Sequence, residues 1–286
     1  MIGIILAGGT GSRLNPLTKS VNKHLLPIYD KPMIYYPITT LMFSGAREIF
    51  VIVSADSINM YELLLGDGKQ WGINLTFVIQ HKPSGIADCF NLIPQDKRSE
   101  SCIVILGDNF FFGMGLGETL KELYSGTGAM CLAYKVSNPS DYGVIVFDNN
   151  KKPKEVIEKP IANVSEWAIP GLYWFDPNCY NFVASLVPSK RGELEIADLL
   201  RMYLDQNDLK VQLLPRGTTW MDAGSPDNLL ETSNFVSLIE RRQGLKIGCP
   251  EEVALREDLI DLALYRKIVS QLPNSDYRTY LEKLFN

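Results

Sequence analysis

The stretch Ile2-Gly-Ile-Ile-Leu-Ala7 decides the fold, and Gly8-Gly-Thr-Gly-Ser-Arg13 follows it directly. The first stretch has no polar alternation, which predicts a strand buried on both faces of a parallel sheet. Residues 48–54 and 101–106 repeat the same apolar pattern. The intervening sequence completes a strand and helix alternation, with helices predicted at residues 33–44 and 59–65 and a further strand at residues 74–80.

This alternation predicts an α/β chain with a mixed, mostly parallel, Rossmann-like sheet flanked by helices. In open sheets of this kind, ligands bind beyond the carboxyl ends of the strands. The glycine-rich loop of residues 8–13 follows the first strand, and Gly107-Asp108-Asn109 follows a later one. We therefore expect both loops to face one pocket.

The second half of the chain has a different pattern. Residues 129–175 are mostly typical of β structure, with clear runs at 142–147 and 168–175. We expect residues 1–225 to form the core, and residues 226–286 to form a C-terminal helical segment packed on the core, on a partner subunit, or on both. Amphipathic helices are predicted in that segment at residues 228–242, 259–271 and 277–285.

Composition limits the classes of function. The chain has 286 residues, 46% of them hydrophobic, and a net charge of -5, so broad attraction to nucleic acid or to an anionic membrane is not expected. The apolar start is too short for a signal or membrane helix. Five scattered cysteines without a CxxC pair argue against a disulfide framework or a zinc knuckle and favour a reduced, cytoplasmic location.

The glycine loop is the strongest chemical signal. Glycines allow a tight turn whose N–H groups point at a ligand, an arrangement that suits phosphate oxygens, and Arg13 and Lys23 add positive charge. A dinucleotide fingerprint would need a third glycine where Leu14 stands, and a P-loop would end in Gly-Lys-Ser/Thr. Neither pattern is completed, and a plain strand-to-helix turn is the structural alternative.

The chain resembles the glucose-1-phosphate thymidylyltransferases of the sugar nucleotidyltransferase family. The resemblance rests on the glycine loop with Lys23, and it extends over essentially the whole chain. Its departures include Ser12 and Ala223 for threonine, His24 for glutamine, and Ile86-Ala-Asp-Cys89 for Leu-Ala-Gln-Ala. The further matching segments are Tyr29-Asp-Lys-Pro-Met-Ile-Tyr-Tyr-Pro37, Gly107-Asp-Asn109, Glu158-Lys-Pro160, Arg191-Gly-Glu-Leu-Glu195 and Trp220-Met-Asp-Ala-Gly224.

The resemblance implies a nucleotide-diphospho-sugar transferase fold and a Mg²⁺-dependent reaction. Glucose 1-phosphate would attack the α-phosphorus of dTTP and release pyrophosphate, the first step towards deoxysugars such as rhamnose. Asp108 and Asp222 are the implied metal pair, although Asp108 alone could be a helix cap. Arg13 and Lys23 would stabilise the phosphates, and Lys159 would bind the sugar phosphate.

Base recognition is assigned to Gln80, whose amide offers one donor and one acceptor to the edge of thymine or uracil, and to the Gly85 backbone. The resemblance also implies a homotetramer. The remaining nucleotide-binding candidates are Leu6, Gly8, Gly9, Gly11 and Ser12, and the sugar candidates are Asn109, Gly143, Glu158, Ile169 and Tyr173.

Three alternatives remain open at this stage. Gln80 and Gly85 do not read the thymine methyl, so a UTP-dependent uridylyltransferase has the same signature. A catalytically silent sugar-nucleotide-binding subunit would usually have lost Asp108, Asp222 or the Arg13 and Lys23 pair, and all four are present. A dehydrogenase shares only the fold class and the glycines.

Overall fold

The computed structural model describes residues 1–122, 124 and 126–285, so Asn286 of the predicted C-terminal segment lies outside the described residues. Short 3-10 turns at Ser12–Leu14, Leu17–Lys19 and Lys23–Leu25 follow the first strand. The strands are β1 (Ile2–Ala7), β2 (Pro27–Ile28), β3 (Lys31–Pro32), β4 (Glu48–Val53), β5 (Asn74–Ile79), β6 (Cys102–Leu106), β7 (Asn109–Phe112), β8 (Ala129–Lys135), β9 (Gly143–Phe147), β10 (Pro153–Glu158), β11 (Trp167–Ala168), β12 (Leu172–Phe175), β13 (Leu209–Leu213) and β14 (Thr219–Asp222).

The helices fall on both sides of the chain's midpoint, and the longest one follows the last strand. They are α1 (Tyr35–Phe43), α2 (Ile58–Leu65), α3 (Cys89–Leu92), α4 (Leu116–Glu122), α5 (Asn178–Ser185), α6 (Ile196–Asp205), α7 (Pro226–Gln243), α8 (Pro250–Arg256), α9 (Leu262–Gln271) and α10 (Asp276–Lys283). None of the helices in the described part of the chain combines the length and apolar character that crossing a bilayer requires.

A ten-stranded mixed sheet organises the molecule, in the order β10-β9-β11-β8-β12-β6-β1-β4-β5, with β13 pairing β8. The half formed by β6, β1, β4 and β5 is parallel throughout. Beyond β6 the pairing becomes antiparallel through β12, β8, β11, β9 and β10, while β13 runs parallel to β8. The predicted α/β sheet flanked by helices is confirmed.

The continuous apolar strands are buried because helices cover both faces of the sheet. Ile4 and Ile5 of β1 are each fully buried but point to opposite faces, into separate apolar clusters. One cluster includes Leu41 of α1, and the other includes Leu199 of α6. Strand β1 therefore lies between two hydrophobic cores, one on each face of the sheet.

The sheet brings two loops together at the carboxyl ends of its central strands. Strands β1 and β6 pair in parallel up to Leu6 and Leu106, and Gly107 N then donates to Leu6 O at 2.9 Å. Next to them, β7 and β14 form a separate antiparallel ribbon in which Asp222 pairs with Asn109. The ribbon therefore delivers a residue from far along the chain to the end of β6.

Two predicted boundaries were wrong. The run 168–175 is not one strand, because the backbone leaves the sheet at Ile169-Pro-Gly171 between β11 and β12. The helix predicted from residue 259 begins at Leu262, because Asp261 caps it and accepts from Leu264 N at 2.7 Å. The C-terminal helices α8 to α10 contribute to the same apolar cluster as Leu41, and the division at residue 225 stays a prediction.

A buried ion network joins the β2–β3 hairpin to the end of α7. Lys31 Nζ lies 2.8 Å from Glu240 Oε1, with both side chains at most 4% exposed. Lys246 Nζ bonds Glu240 Oε2 at 2.9 Å and also bonds Asp30, which pairs with Lys31 as well. Each carboxylate thus bridges two lysines, which offsets the desolvation of all four groups.

We expect Lys31→Met to lower the free energy of unfolding by about 3 kcal/mol, because Glu240 loses its most buried partner. Urea denaturation at pH 7 measures the change. Lys69→Met is the control, since the Lys69 and Asp67 side chains are exposed and solvent screens their pairing, so little change in stability is expected. Equal effects of the two substitutions would show that the network has no special role.

Candidate active site

A cavity of about 790 Å³ lies at the carboxyl ends of β1 and β6, a size that suits a small-molecule site. It extends from the glycine loop to the antiparallel half of the sheet. The structure therefore brings together residues that are widely spaced in the sequence. The predicted site residues that line the cavity are Arg13, Asp108, Asn109, Gly143, Glu158, Lys159, Ile169, Tyr173 and Asp222.

Asp108 and Asp222 face each other because the β7–β14 ribbon aligns their backbones. Ala223 N donates to Asp108 O at 2.9 Å. A β-carbon added to Gly224 would lie 2.7 Å from Asp222 Oδ1, 2.9 Å from Arg13 Nη2 and 3.3 Å from Asp108 Oδ2. Two carboxylates and one guanidinium thus converge on a single point.

Lys23 is the counter-charge of Asp108. Its Nζ donates to Asp108 Oδ2 at 2.5 Å, and both side chains are 11% exposed. Burial opposes the ionisation of Asp108, but the charge of Lys23, together with the neighbouring His24 and the hydrogen bonds from Lys23 and Asn109, holds the pKa of Asp108 well below its usual value. Asp108 is therefore a permanent anion at the end of β6.

Asp222 has no such dedicated lysine. Burial, reinforced by the charge of Asp108, raises the pKa of Asp222 to about 6. Two hard oxygen donors that repel each other, one buried and one half-buried, are suited to a divalent cation. No cluster of three or more His, Cys, Asp or Glu in metal-binding geometry occurs among the described residues.

The glycine loop holds Lys23 by close approach. Gly11 has a φ of 62°, and a β-carbon there would meet the Lys23 and Thr18 side chains at 2.9 Å. Only glycine fits this left-handed position without strain. Gly9 and Ser12 are exposed at the mouth of the loop, while Leu6 contributes the carbonyl that binds Gly107.

Gln80 lies directly over the glycine loop at the end of β5. A β-carbon added to Gly8 would be 2.9 Å from Gln80 Oε1, so the carboxamide and the loop form one rim. Gln80 Nε2 donates to Asp88 Oδ2 at 3.4 Å. Gly85 packs against Leu194, with a φ of 100° and only 2.3 Å between an added β-carbon and Leu194 O.

The antiparallel half provides the other end of the cavity. Burial raises the pKa of Glu158, whose Oε2 would lie 3.1 Å from a β-carbon added to Gly143. Lys159, the next residue, has a φ of 43°, and Lys159 N bonds Tyr142 O at 3.1 Å. This left-handed backbone directs the lysine into the cavity at a cost of about 1 to 3 kcal/mol.

Asn109 differs from the other sugar candidates because its side-chain amide already makes hydrogen bonds to other groups of the protein. Its Oδ1 accepts from Gly171 N at 2.9 Å and from Trp220 Nε1 at 2.6 Å. Its Nδ2 donates to Asp108 Oδ1 at 3.1 Å. The side chain thus orients Asp108 and joins β7 and β14 to the segment just before β12, in addition to lining the cavity.

Arg191 and Trp220 lie at the site although the sequence patterns predicted no role for either. Arg191 Nη2 lies 3.3 Å from Glu158 Oε1 and 2.9 Å from Glu195 Oε2, which places a guanidinium beside the sugar candidates. Trp220 lines the cavity and packs edge-on against Tyr142, with ring centroids 4.9 Å apart. Both residues lie in matched segments, and that was the available signal.

His24 is buried behind the site between the two loops. Its Nδ1 lies 3.0 Å from Asn22 Oδ1, and a β-carbon on Gly107 would contact its ring at 2.7 Å. Burial, together with the adjacent Lys23, lowers the pKa of His24 to about 3. The imidazole is therefore neutral at physiological pH.

Comparisons with known proteins agree with this architecture. The model of the family described as nucleotidyl transferase matches residues 2–238. A glucose-1-phosphate thymidylyltransferase of Mycolicibacterium smegmatis is 44% identical, with 100% of this chain and 99% of that protein covered. One from Xanthomonas campestris pv. campestris is 45% identical, with coverages of 99% and 96%.

A solved structure is also similar. It comes from a Bacillus anthracis protein assigned to the glucose-1-phosphate thymidylyltransferases and was determined in complex with a sucrose. The two chains share 35% identity and a TM-score of 0.75, and the match covers 82% of this chain and 94% of that one. The similarity therefore spans both halves of the sheet.

We expect His24 to make the free energy of unfolding fall as the pH is lowered. The unfolded imidazole gains a proton below about pH 6.5, whereas the folded one stays neutral down to about pH 3. Between pH 7 and pH 5 this difference destabilises the fold by about 2 kcal/mol. Urea denaturation at both pH values should show that the free energy of unfolding of His24→Gln declines less between pH 7 and pH 5 than that of the unsubstituted chain.

His81→Gln is the matched control for this experiment, because His81 is the other histidine and is exposed. Its free energy of unfolding should fall between pH 7 and pH 5 by as much as that of the unsubstituted chain. Parallel pH profiles for His24→Gln and the unsubstituted chain would refute the prediction.

Proposed function

Because the chain belongs to the nucleotidyl transferase family, we propose that it transfers the thymidylyl group of dTTP to α-D-glucose 1-phosphate. The products are dTDP-glucose and pyrophosphate. The observation that carries the proposal is the convergence of Asp108, Asp222, Lys23 and Arg13 at one end of a ligand-sized cavity. The names of relatives that are similar over the full chain length support the choice of substrates.

The chemistry needs no general base from the protein. The nucleophile is a phosphate oxygen of the sugar, which is already ionised at neutral pH. It forms a bond to the α-phosphorus as the bond from that phosphorus to the bridging oxygen of pyrophosphate breaks, and the oxygen leaves with the electron pair. Catalysis therefore rests on alignment of two anions and on neutralisation of their charge.

Asp108 and Asp222 are the residues that would hold Mg²⁺. Their hard oxygen atoms, burial and mutual repulsion fit a divalent cation, and the fixed charge on Asp108 keeps one ligand ready at any physiological pH. A bound Mg²⁺ supplies positive charge that reduces the repulsion between the two phosphates. The β7–β14 ribbon sets the position of both carboxylates.

The three basic residues are assigned to different phosphate groups of the two substrates. Arg13 reaches from the glycine loop to the carboxylate pair, a position that serves the leaving pyrophosphate. Lys23 contacts Asp108 and adds charge on the nucleotide side. Lys159 enters from the opposite half of the cavity, beside Glu158, and is placed to bind the sugar phosphate.

The remaining assignments fall into a nucleotide group and a sugar group. Leu6, Gly8, Gly9, Gly11 and Ser12 would form the nucleotide cradle and Gln80 and Gly85 would contact the nucleobase, although all seven lie beside the cavity and not in its lining, which Arg13 enters from the same loop. Glu158 accepts from sugar hydroxyls, and Gly143, Ile169, Tyr173 and Asn109 shape the pocket around the ring.

Three further points complete the proposal. The product enters the synthesis of deoxysugars such as rhamnose, and the cytoplasm is the compartment that fits scattered free thiols. The homotetramer stays a prediction, and light scattering of the purified chain measures its mass.

We expect the pure chain with Mg²⁺ and glucose 1-phosphate to release pyrophosphate fastest with dTTP. The measurement is initial rates with dTTP, UTP, dCTP and ATP at equal concentrations. A tenfold or greater preference for UTP would make the chain a uridylyltransferase. No turnover with any triphosphate would instead support a silent binding subunit.

Asp108→Asn should lower the turnover number at least about 1,000-fold while dTTP affinity changes less than about tenfold. The substitution keeps the shape but removes the permanent anion, and its effect falls mainly on the transition state. Pyrophosphate release measures turnover, and calorimetric titration measures affinity. Asp67→Asn removes one exposed charge elsewhere and is the control; a comparable loss there would contradict the assignment.

A further inference from the structure

The carboxamide of Gln80 contacts a carboxylate that sequence analysis noted only as a departure from the family pattern. Asp88 stands at the start of α3 and presents its Oδ2 to Gln80 Nε2 at 3.4 Å. Its other oxygen, Oδ1, accepts from Asn91 Nδ2 at 3.1 Å. Each oxygen of the Asp88 carboxylate thus accepts from a different side-chain amide. Asn91 holds the carboxylate in place through the oxygen that Gln80 does not contact.

An ionised carboxylate only accepts hydrogen bonds, so the atom of Gln80 that faces Asp88 has to be the NH₂ group. The carbonyl Oε1 is then directed to the other side, where it lies over Gly8 on the rim of the glycine loop. Flipping the amide would place two acceptors against each other. Asp88 therefore fixes the orientation in which the Gln80 amide meets a bound base.

We propose that Asp88 is a positioning residue that makes the site select an imide base, thymine or uracil, against cytosine. The inference rests on the proposed function, in which Gln80 reads the edge of the base. With the amide fixed, Oε1 accepts from N3–H of the base, and the second N–H of Nε2 donates to O4.

Cytosine presents the opposite pattern. Its N3 is an acceptor and its exocyclic N4 is a donor, so the fixed amide faces it with acceptor against acceptor and donor against donor. A flipped amide would pair well with cytosine, but the flip is opposed by Asp88. Discrimination therefore comes from a pair of residues, of which only Gln80 touches the base.

The test compares dTTP with dCTP, which share the deoxyribose and triphosphate and differ in the base. For Asp88→Asn we expect the ratio of kcat/KM for dTTP to that for dCTP to fall at least tenfold, because Asn can donate to a flipped Gln80 carbonyl. The change should lie mainly in KM. Asp88→Ala, which has no side-chain group to accept from Gln80 Nε2, should do the same, and Asp88→Glu should keep most of the ratio.

The control is Asp67→Asn, which removes one exposed negative charge and should leave the ratio unchanged. Displacement of a fluorescent nucleotide by dTTP and by dCTP, without any sugar phosphate, gives the same ratio as an affinity. A folded Asp88→Asn or Asp88→Ala chain with the original ratio would overturn the proposal. Absence of turnover in the unsubstituted chain would refute the proposed function, and the affinity ratio would still test Asp88.

Discussion

The repulsion between the neighbouring carboxylates of Asp108 and Asp222 is the constraint on which the site depends. Asp108 is buried just beyond a strand of the parallel half, and the half-buried Asp222 ends a ribbon strand that comes much later in the chain. Lys23 compensates the charge of Asp108, whereas burial and the charge of Asp108 raise the pKa of Asp222. This imbalance is the physical reason for proposing a divalent cation at the two carboxylates.

The surrounding residues keep the two carboxylates in place and do not remove the repulsion between them. Asn109 makes three hydrogen bonds that connect Asp108, Gly171 and Trp220. The neutral His24 ring packs close to Gly107, and Gly11 lets the lysine stem come close to the loop. These contacts fix the positions of Asp108 and Lys23, and the proposed reaction needs alignment more than proton transfer.

Much of the parallel half could be predicted because β1, β4 and β6 are continuous apolar runs with glycine at their ends. Strand β13 could not, since Leu209–Leu213 is short, partly exposed and stabilised by β8 from much earlier in the chain. The charged residues of the site were predicted from segments with a recognisable spacing. The proposed role of Asp88 and the position of Arg191 beside Glu158 came only from contacts between separate elements, and single-sequence patterns carry no information about such contacts.

The order of the chain has a consequence for the birth of the protein on the ribosome. Strand β14 and its Asp222 follow every other strand in the described part of the chain, and the helices that cover Leu41 emerge later still. A nascent chain that has formed only the glycine loop and the end of β6 holds a single carboxylate there. The pair of carboxylates is therefore completed late in synthesis, and a polypeptide that ends before Asp222 lacks it.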